Sequence, residues 1–298
     1  MDKVINLTDI LKPDDKNKGM FRTKVIGGYD PYLDKNGITR FGEVVFERSN
    51  MIVLSGSMFA LEKLFGQYVG DSNSVDYLDN FIKKSDETIE GIDGITTTPN
   101  AEYPEDGSIV CLFGAGTGGA SESGETVFSV NYYDRDINGM VPFAQTNRNL
   151  LVENNNKYWF RKSVNINGSD KYRYYLKEFE NAPEIKVLYK STAEGEDGVR
   201  VTGIPSIYTG VANNNSIETF IELTLKIMNN DFRDYFASLS TDTSPYINTI
   251  GLYTGVKKVL NDGTVDYRHV RLFSKLNFNN EYLNPGKDMT IKYRIYTN

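Results

Sequence analysis

Six consecutive residues, Asp134-Arg135-Asp136-Ile137-Asn138-Gly139, carry the most explicit chemistry in the chain. Asp134, Asp136 and Asn138 alternate as oxygen donors and Gly139 permits a sharp turn, the first half of a calcium loop of the EF-hand type. Such a loop closes on a bidentate glutamate at its twelfth position. Here that position is Gln145, Pro142 interrupts the loop, and the flanking segments read as strands rather than helices. Calcium therefore rests on Asp134, Asp136 and Asn138 alone, and a plain Asp/Asn/Gly turn is the preferred reading. The chain writes turns in the same way at Asp34–Gly37 and Asn261–Gly263.

A second constellation, Gly114-Ala115-Gly116-Thr117-Gly118-Gly119, comes directly after the apolar run Ser108–Phe113, as the glycines of a dinucleotide fingerprint come after a strand. That fingerprint needs a helix after its third glycine, because the helix amides hold the pyrophosphate. The chain instead continues with Ala120–Glu125 and the alternating Thr126–Tyr133, so the glycines are expected to form a strand-to-strand connection with positive φ. No Gly-Lys-Ser/Thr phosphate loop is present.

The remaining reactive groups read blandly. The single histidine, His269, lies in the strand-like Tyr267–Phe273 without a Ser or Cys nucleophile motif and is expected to be an ordinary sheet residue. Cys111 sits inside the apolar run and reads as a small packed hydrophobe. One cysteine excludes an intramolecular disulfide and a four-cysteine zinc site. With 40 acidic residues, close carboxylate pairs arise by chance, so an enzyme with an unrecognised carboxylate site stands only as an alternative. Tyr158, Trp159, Tyr172 and Tyr174 alternate with cations in two adjacent segments, a pattern that stacks sugars or bases. A glycan- or receptor-binding β-sandwich is thus another alternative, although aromatic strands in any sheet look the same.

These groups must be positioned by a chain of 298 residues with 33 basic and 40 acidic side chains, a net charge of −7. That balance disfavours non-specific nucleic-acid binding, which needs clustered Lys and Arg. Twenty Tyr and 16 Phe against one Trp favour strands. The N-terminal segment lacks the apolar core of a secretory signal, and the weakly polar Met51–Leu61 is too short and too interrupted to span a bilayer.

Residues 1–40, rich in Pro, Gly and Asp, read as an irregular arm. Gly42–Glu47 and Met51–Leu54 read as a hairpin about Arg48, Ser49 and Asn50, with a helix capped by Ser57 after it. That helix carries Met58, Leu61, Leu64 and Phe65 at helical spacing and stops at Gly66. Residues 67–107 read as connection with a short helix near Tyr77–Lys83. Short aromatic strands come next, and strict alternation of Ile221, Leu223, Leu225 and Ile227 with Glu222, Thr224 and Lys226 predicts a strand. Asp231 opens a short helix, a hairpin turns at Asn261–Gly263, and Met289–Thr297 reads as a further strand. The expected fold is mainly β: an antiparallel β-sandwich or barrel with a few short helices and long loops. The expected division is an arm over 1–40, a β-rich domain with one or two short helices over 41–195 and a C-terminal β unit over 196–298, with the boundary in Thr192–Gly203.

In Thr39–Gly66, Ile247–Gly255, Val270–Phe278 and Met289–Thr297 the chain resembles structural virion proteins of tailed bacteriophages, and its Asn-, Asp-, Lys- and Tyr-rich usage those of large contractile-tailed phages of low-GC hosts. None of these segments is a diagnostic motif and no functional residue is transferred. The resemblance implies a non-enzymatic component of the head-to-tail neck (connector or collar) or of the capsid surface. It would be made in the host cytoplasm, reside in the virion, form a homo-oligomeric ring and bind other virion proteins. It implies no cofactor, no membrane contact and no sequence-specific nucleic acid, with DNA passing close to an acidic surface. The arm over 1–40 is expected to order only on assembly.

Overall fold

The computed structural model describes residues 21–34, 39–66, 105–144, 158–166, 168–190, 198–201, 216–239, 244–259 and 265–297. Alternating segments rich in Tyr, Phe, Ile and Val form two antiparallel sheets, so the mainly β expectation holds. The first sheet contains β1 (Phe21–Leu33), β2 (Thr39–Arg48), β8 (Glu184–Lys190), β9 (Gly198–Val201), β10 (Ser216–Ile227) and β13 (Met289–Thr297), in the order β2-β1-β13-β10-β8-β9. The second contains β3 (Met51–Ile52), β4 (Ile109–Gly116), β5 (Phe143–Ala144), β6 (Tyr158–Ile166), β7 (Ser169–Glu178), β11 (Tyr246–Val259) and β12 (Val265–Tyr282). Its order is β3-β12-β11-β4-β7-β5, with β6 also paired to β7. Helices α1 (Leu54–Phe65) and α2 (Arg233–Leu239) and a single 3-10 turn at Glu105–Gly107 complete the described elements.

The chain divides into two compact units, each assembled from separate stretches. One comprises 1–50, 180–227 and 288–298, the other 51–179 and 228–287. This departs from the sequential division at 40 and 195. Within the supposed boundary loop, β9 pairs with β8 from Lys186↔Val201 to Tyr189↔Gly198, so strand pairing runs through it.

The supposed arm is corrected over Phe21–Leu33, which forms β1 against β13 from Phe21↔Thr297 to Gly28↔Thr290; residues 1–20 lie outside the described residues. The turn-forming residues that suggested irregularity act inside the strand. A Cβ on Gly27 would collide with the Phe46 ring and one on Gly28 with the Glu43 carbonyl, so these glycines let β2 close on β1. The expected hairpin about Ser49 is absent, because β2 pairs with β1 whereas β3 pairs with β12 in the other sheet.

Helix α1 begins earlier than Ser57. Val53 stands at its N-cap, and its carbonyl accepts from the Ser57 amide at 2.9 Å. Gly66 ends it in the left-handed conformation, φ 62°, as expected. The buried stripe is Gly56, Phe59 and Glu62, while Leu64 and Phe65 are exposed. Gly56 sets this face: a Cβ there would collide with the Phe273 carbonyl, so its absence lets the helix lie directly on β12. The short helix expected near Tyr77–Lys83 lies outside the described residues.

In β10 the period of two is realised over Leu223, Leu225 and Ile227, which are buried, whereas Ile221, expected with them, is 39% exposed. Glu222 is buried on the opposite face, where Arg294 Nε meets it at 2.7 Å and Lys292 Nζ at 3.4 Å. The hairpin of β11 and β12 closes at Val259↔Val265, and its turn residues lie outside the described set. The second unit is built on a core containing Val53, Cys111, Leu112, Leu176, Tyr253, Val270 and Leu272. Ahead of α2, Asp231 Oδ2 accepts from the Met228 amide at 2.8 Å and from Lys177 Nζ at 2.9 Å. Both charged side chains are within 2% of complete burial, and Phe143 flanks the pair. Removing one partner leaves a buried charge uncompensated, so Lys177→Met or Asp231→Leu alone is expected to cost about 3–5 kcal/mol in urea unfolding. The double substitution should regain most of that loss.

Candidate functional site

The two motifs with the most chemistry in the sequence meet in the structure. The Asp134–Gly139 loop lies against the glycine-rich end of β4, joined by Val141 N to Ala115 O at 2.9 Å, Thr117 N to Gly139 O at 2.9 Å and Gly118 N to Asn138 O at 3.0 Å. The glycines serve close approach rather than unusual φ. Gly114, Gly116, Gly118 and Gly119 all keep negative φ, which corrects the expected role. A Cβ on Gly116 would stand 2.7 Å from the Asn138 and Gly139 carbonyl oxygens, and one on Gly119 would collide with the Asn248 carbonyl. Gly139 alone of this group takes the left-handed conformation, φ 61°, as its turn demands.

Of the three residues proposed as calcium ligands, Asp134 and Asp136 are brought together and Asn138 is not. Asn138 is exposed and contributes its carbonyl to Gly118. Asp134 Oδ2 accepts from the Asn131 amide at 3.2 Å and from Lys275 Nζ at 2.9 Å. Lys275, only 1% exposed, also reaches the Asp136 carbonyl at 3.4 Å. Asp136 Oδ1 accepts from the Tyr253 hydroxyl at 2.5 Å and the Ile137 amide at 2.8 Å. The ammonium of β12 thus stands against Asp134, the first of the three proposed donors. Among the described residues no group of three His, Cys, Asp or Glu is placed to hold a metal.

Burial sets the protonation of this cluster. It raises the Asp136 carboxyl above the usual carboxylate range, against the opposing pull of the Tyr253 bond, the Ile137 amide and the Lys275 charge. Burial also pushes the Tyr253 phenol well up, aided by the Asp136 charge and hydrogen bond. Tyr253 is therefore a donor in this pair.

Asparagines fix the loop just before the cluster. Asn248 accepts from Gly119 N at 2.7 Å and donates to Thr117 O at 3.0 Å and Asn280 Oδ1 at 2.9 Å. Asn277, Asn279 and Asn280 donate to the carbonyls of Phe128, Gly124 and Glu122. Side chains thereby take the Phe128 carbonyl and carbonyls of the turn before it, and Thr126–Tyr133 is an irregular segment with one bridge, Ala120↔Val127, instead of the expected strand.

The other sequence candidates fall elsewhere. Cys111 is buried in the core, and burial pushes its thiol up, away from nucleophilic thiolate. His269 is buried at a register shift of β12 with φ 55°, a bulge position rather than an ordinary sheet residue. A further carboxylate, Glu178, is bonded by the Tyr267 hydroxyl and by Lys257 Nζ at 2.9 Å. Beneath α1, Arg271 pairs with Glu62 and lies 5.5 Å from the centre of the Phe59 ring. The backbone sets Trp159 opposite Leu176, Arg161 opposite Tyr174 and Ser163 opposite Tyr172, while the side chains of Tyr158, Trp159, Tyr172 and Tyr174 lie outside the described residues.

Sequence reasoning missed Lys275, Tyr253 and Asn248. Lys275 and Tyr253 sit within alternating strands, where a polar residue on either face gives the same pattern. The one available signal was the density of asparagines in Asn277–Asn280. No family model, no curated protein and no solved structure matches the chain.

Two substitutions test this geometry. Gly119→Ala must push the loop away from Asn248 and is expected to lower stability by roughly 1–3 kcal/mol, seen as a lower urea midpoint. The raised Asp136 carboxyl keeps its proton in the folded chain at pH values where the unfolded chain has released it. Its contribution is complete below the ordinary carboxylate value of about 4 and is lost as pH rises through the raised one. Wild type is accordingly expected to lose stability relative to Asp136→Asn over that upward range, measured by urea unfolding at a series of pH values.

Proposed function

We propose that the chain is a non-enzymatic structural subunit of a tailed-phage virion, a head-to-tail neck or capsid-associated component that works through contacts between subunits. The observation that carries this reading is that Asp134, Asp136, Lys275 and Tyr253 bond to one another and so fix a long polar loop on a sheet. The segment they fix displays apolar side chains: Phe128 is 49% and Tyr133 66% exposed. Anchors held rigid before contact lose little entropy on association, which favours an interface role.

The strand pairing adds a second support. β13 covers β1 only as far as Gly28, so Tyr29–Leu33 pairs with β2 alone among the described residues. A two-stranded ribbon is marginal in water without further packing, and this one exposes Tyr32 and Leu33. Such a ribbon suits an arm that completes its packing on a neighbouring subunit, and heterologous contacts of that kind close into rings.

Immunogold labelling of intact and mechanically opened particles, with antibody against this chain, is expected to mark one vertex. Absence of label from every particle component overturns the virion assignment. Native mass spectrometry of the purified chain is expected to show a closed oligomer that Phe128→Asp or Leu33→Asp shifts toward monomer. A monomer at all concentrations in the wild type would sink the ring.

A further inference from the structure

Lys275, Asp134 and Asp136 form a more specific arrangement than an ion pair needs. A primary amine is held 2.9 Å from a carboxylate oxygen, one bond from the carboxyl carbon. The amine is almost completely removed from solvent, so it cannot exchange partners freely with water. A second carboxyl, that of Asp136, lies two residues away, and the main-chain carbonyl of Asp136 accepts from the same nitrogen at 3.4 Å. Tyr253 holds that carboxyl by its hydroxyl at 2.5 Å. Amide formation between an amine and a carboxylic acid is limited in water by solvation of both charges and by the rarity of correct encounters; here burial desolvates the Lys275 amine, Asp134 stays 26% exposed at the rim, and fixed geometry supplies the encounter.

We propose that Lys275 and Asp134 condense into an intramolecular isopeptide bond, with Asp136 moving the proton, so that the loop becomes covalently joined to β12. The bond rests on the candidate site and is independent of the virion assignment. In the balanced step, one proton passes along the hydrogen bond from Lys275 Nζ to Asp134 Oδ2. This gives an amine and a carboxylic acid. The nitrogen lone pair attacks Asp134 Cγ, forming the C–N bond and a tetrahedral carbon. Asp136 takes a proton from the nitrogen and gives one to the departing hydroxyl, the C–O bond breaks, and one water leaves. No oxidant, reductant or added reagent is required, and Asp136 ends as it began. Desolvation of Asp136, which favours its protonated form, suits the donor half of that exchange.

The product matches the task of the cluster. An ion pair with Asp134 at the rim exchanges with water and weakens with salt, whereas an amide holds the loop at any ionic strength.

Intact-mass measurement of the denatured full chain is the direct test. The expected result is a mass lower than the sequence mass by one water, with protease digestion yielding a branched peptide that joins the segment containing Asp134 to the segment containing Lys275. Lys275→Arg and Asp134→Ala should each restore the full mass, and because the mass is read on denatured protein, neither has to fold to be informative. Asp136→Ala, with Lys275 and Asp134 intact, is expected to slow or abolish the loss of water. The full sequence mass in aged wild-type protein overturns the proposal. A one-water deficit confined to a single unbranched peptide, as a cyclised aspartate gives, also overturns it. A branched peptide formed equally fast in Asp136→Ala overturns the role of Asp136.

Discussion

Laying an irregular stretch of backbone on the middle of a β-sheet requires a partner for every peptide group it brings out of water, and the second unit is organised by that requirement. The glycines of β4 remove side chains where the loop must touch, so peptide groups on both sides can bond directly. Asparagines from β11 and β12 supply amides and carbonyls where the loop diverges from strand geometry. Lys275 then neutralises Asp134 where the loop meets the sheet. Polar networks of this kind are costly when incomplete and rigidifying when satisfied, which explains why so many of the polar residues converge there.

The same economy recurs in the other charged groups of the interior. Lys177 meets Asp231, Arg271 meets Glu62 and Arg294 meets Glu222, each pair joining segments distant in sequence. Such pairs add little net stability over apolar side chains of the same shape, yet they penalise any register or docking that separates them. In a chain whose strands are similarly aromatic, they distinguish the correct pairing from neighbouring ones.

Period-two alternation made β10 legible, the turn at Asn261–Gly263 announced the hairpin of β11 and β12, and the continuous apolar run made β4 legible as a strand. What the sequence concealed were relations between distant segments. Gly27, Gly28 and Pro31 read locally as a turn, and only pairing with β13 and β2 reveals a strand. Thr126–Tyr133 reads locally as a strand, yet the segment is irregular and its Phe128 carbonyl is taken by the side chain of the distant Asn277. At the candidate site, the acidic loop and the glycine run were each visible. Their meeting, and the lysine between them, were not, because side-chain type and spacing carry no information about which face of which strand will oppose a loop.

Strand order also has a consequence in time. In the first sheet β13 stands between β1 and β10, although it is the latest of the described strands to be synthesised. Until it leaves the ribosome, β1 with β2 and β10 with β8 and β9 remain two fragments, each with an open edge facing the place β13 will take. A chain stopped short of Met289 would therefore expose two strand edges at once, and be recognisable to quality control by that defect.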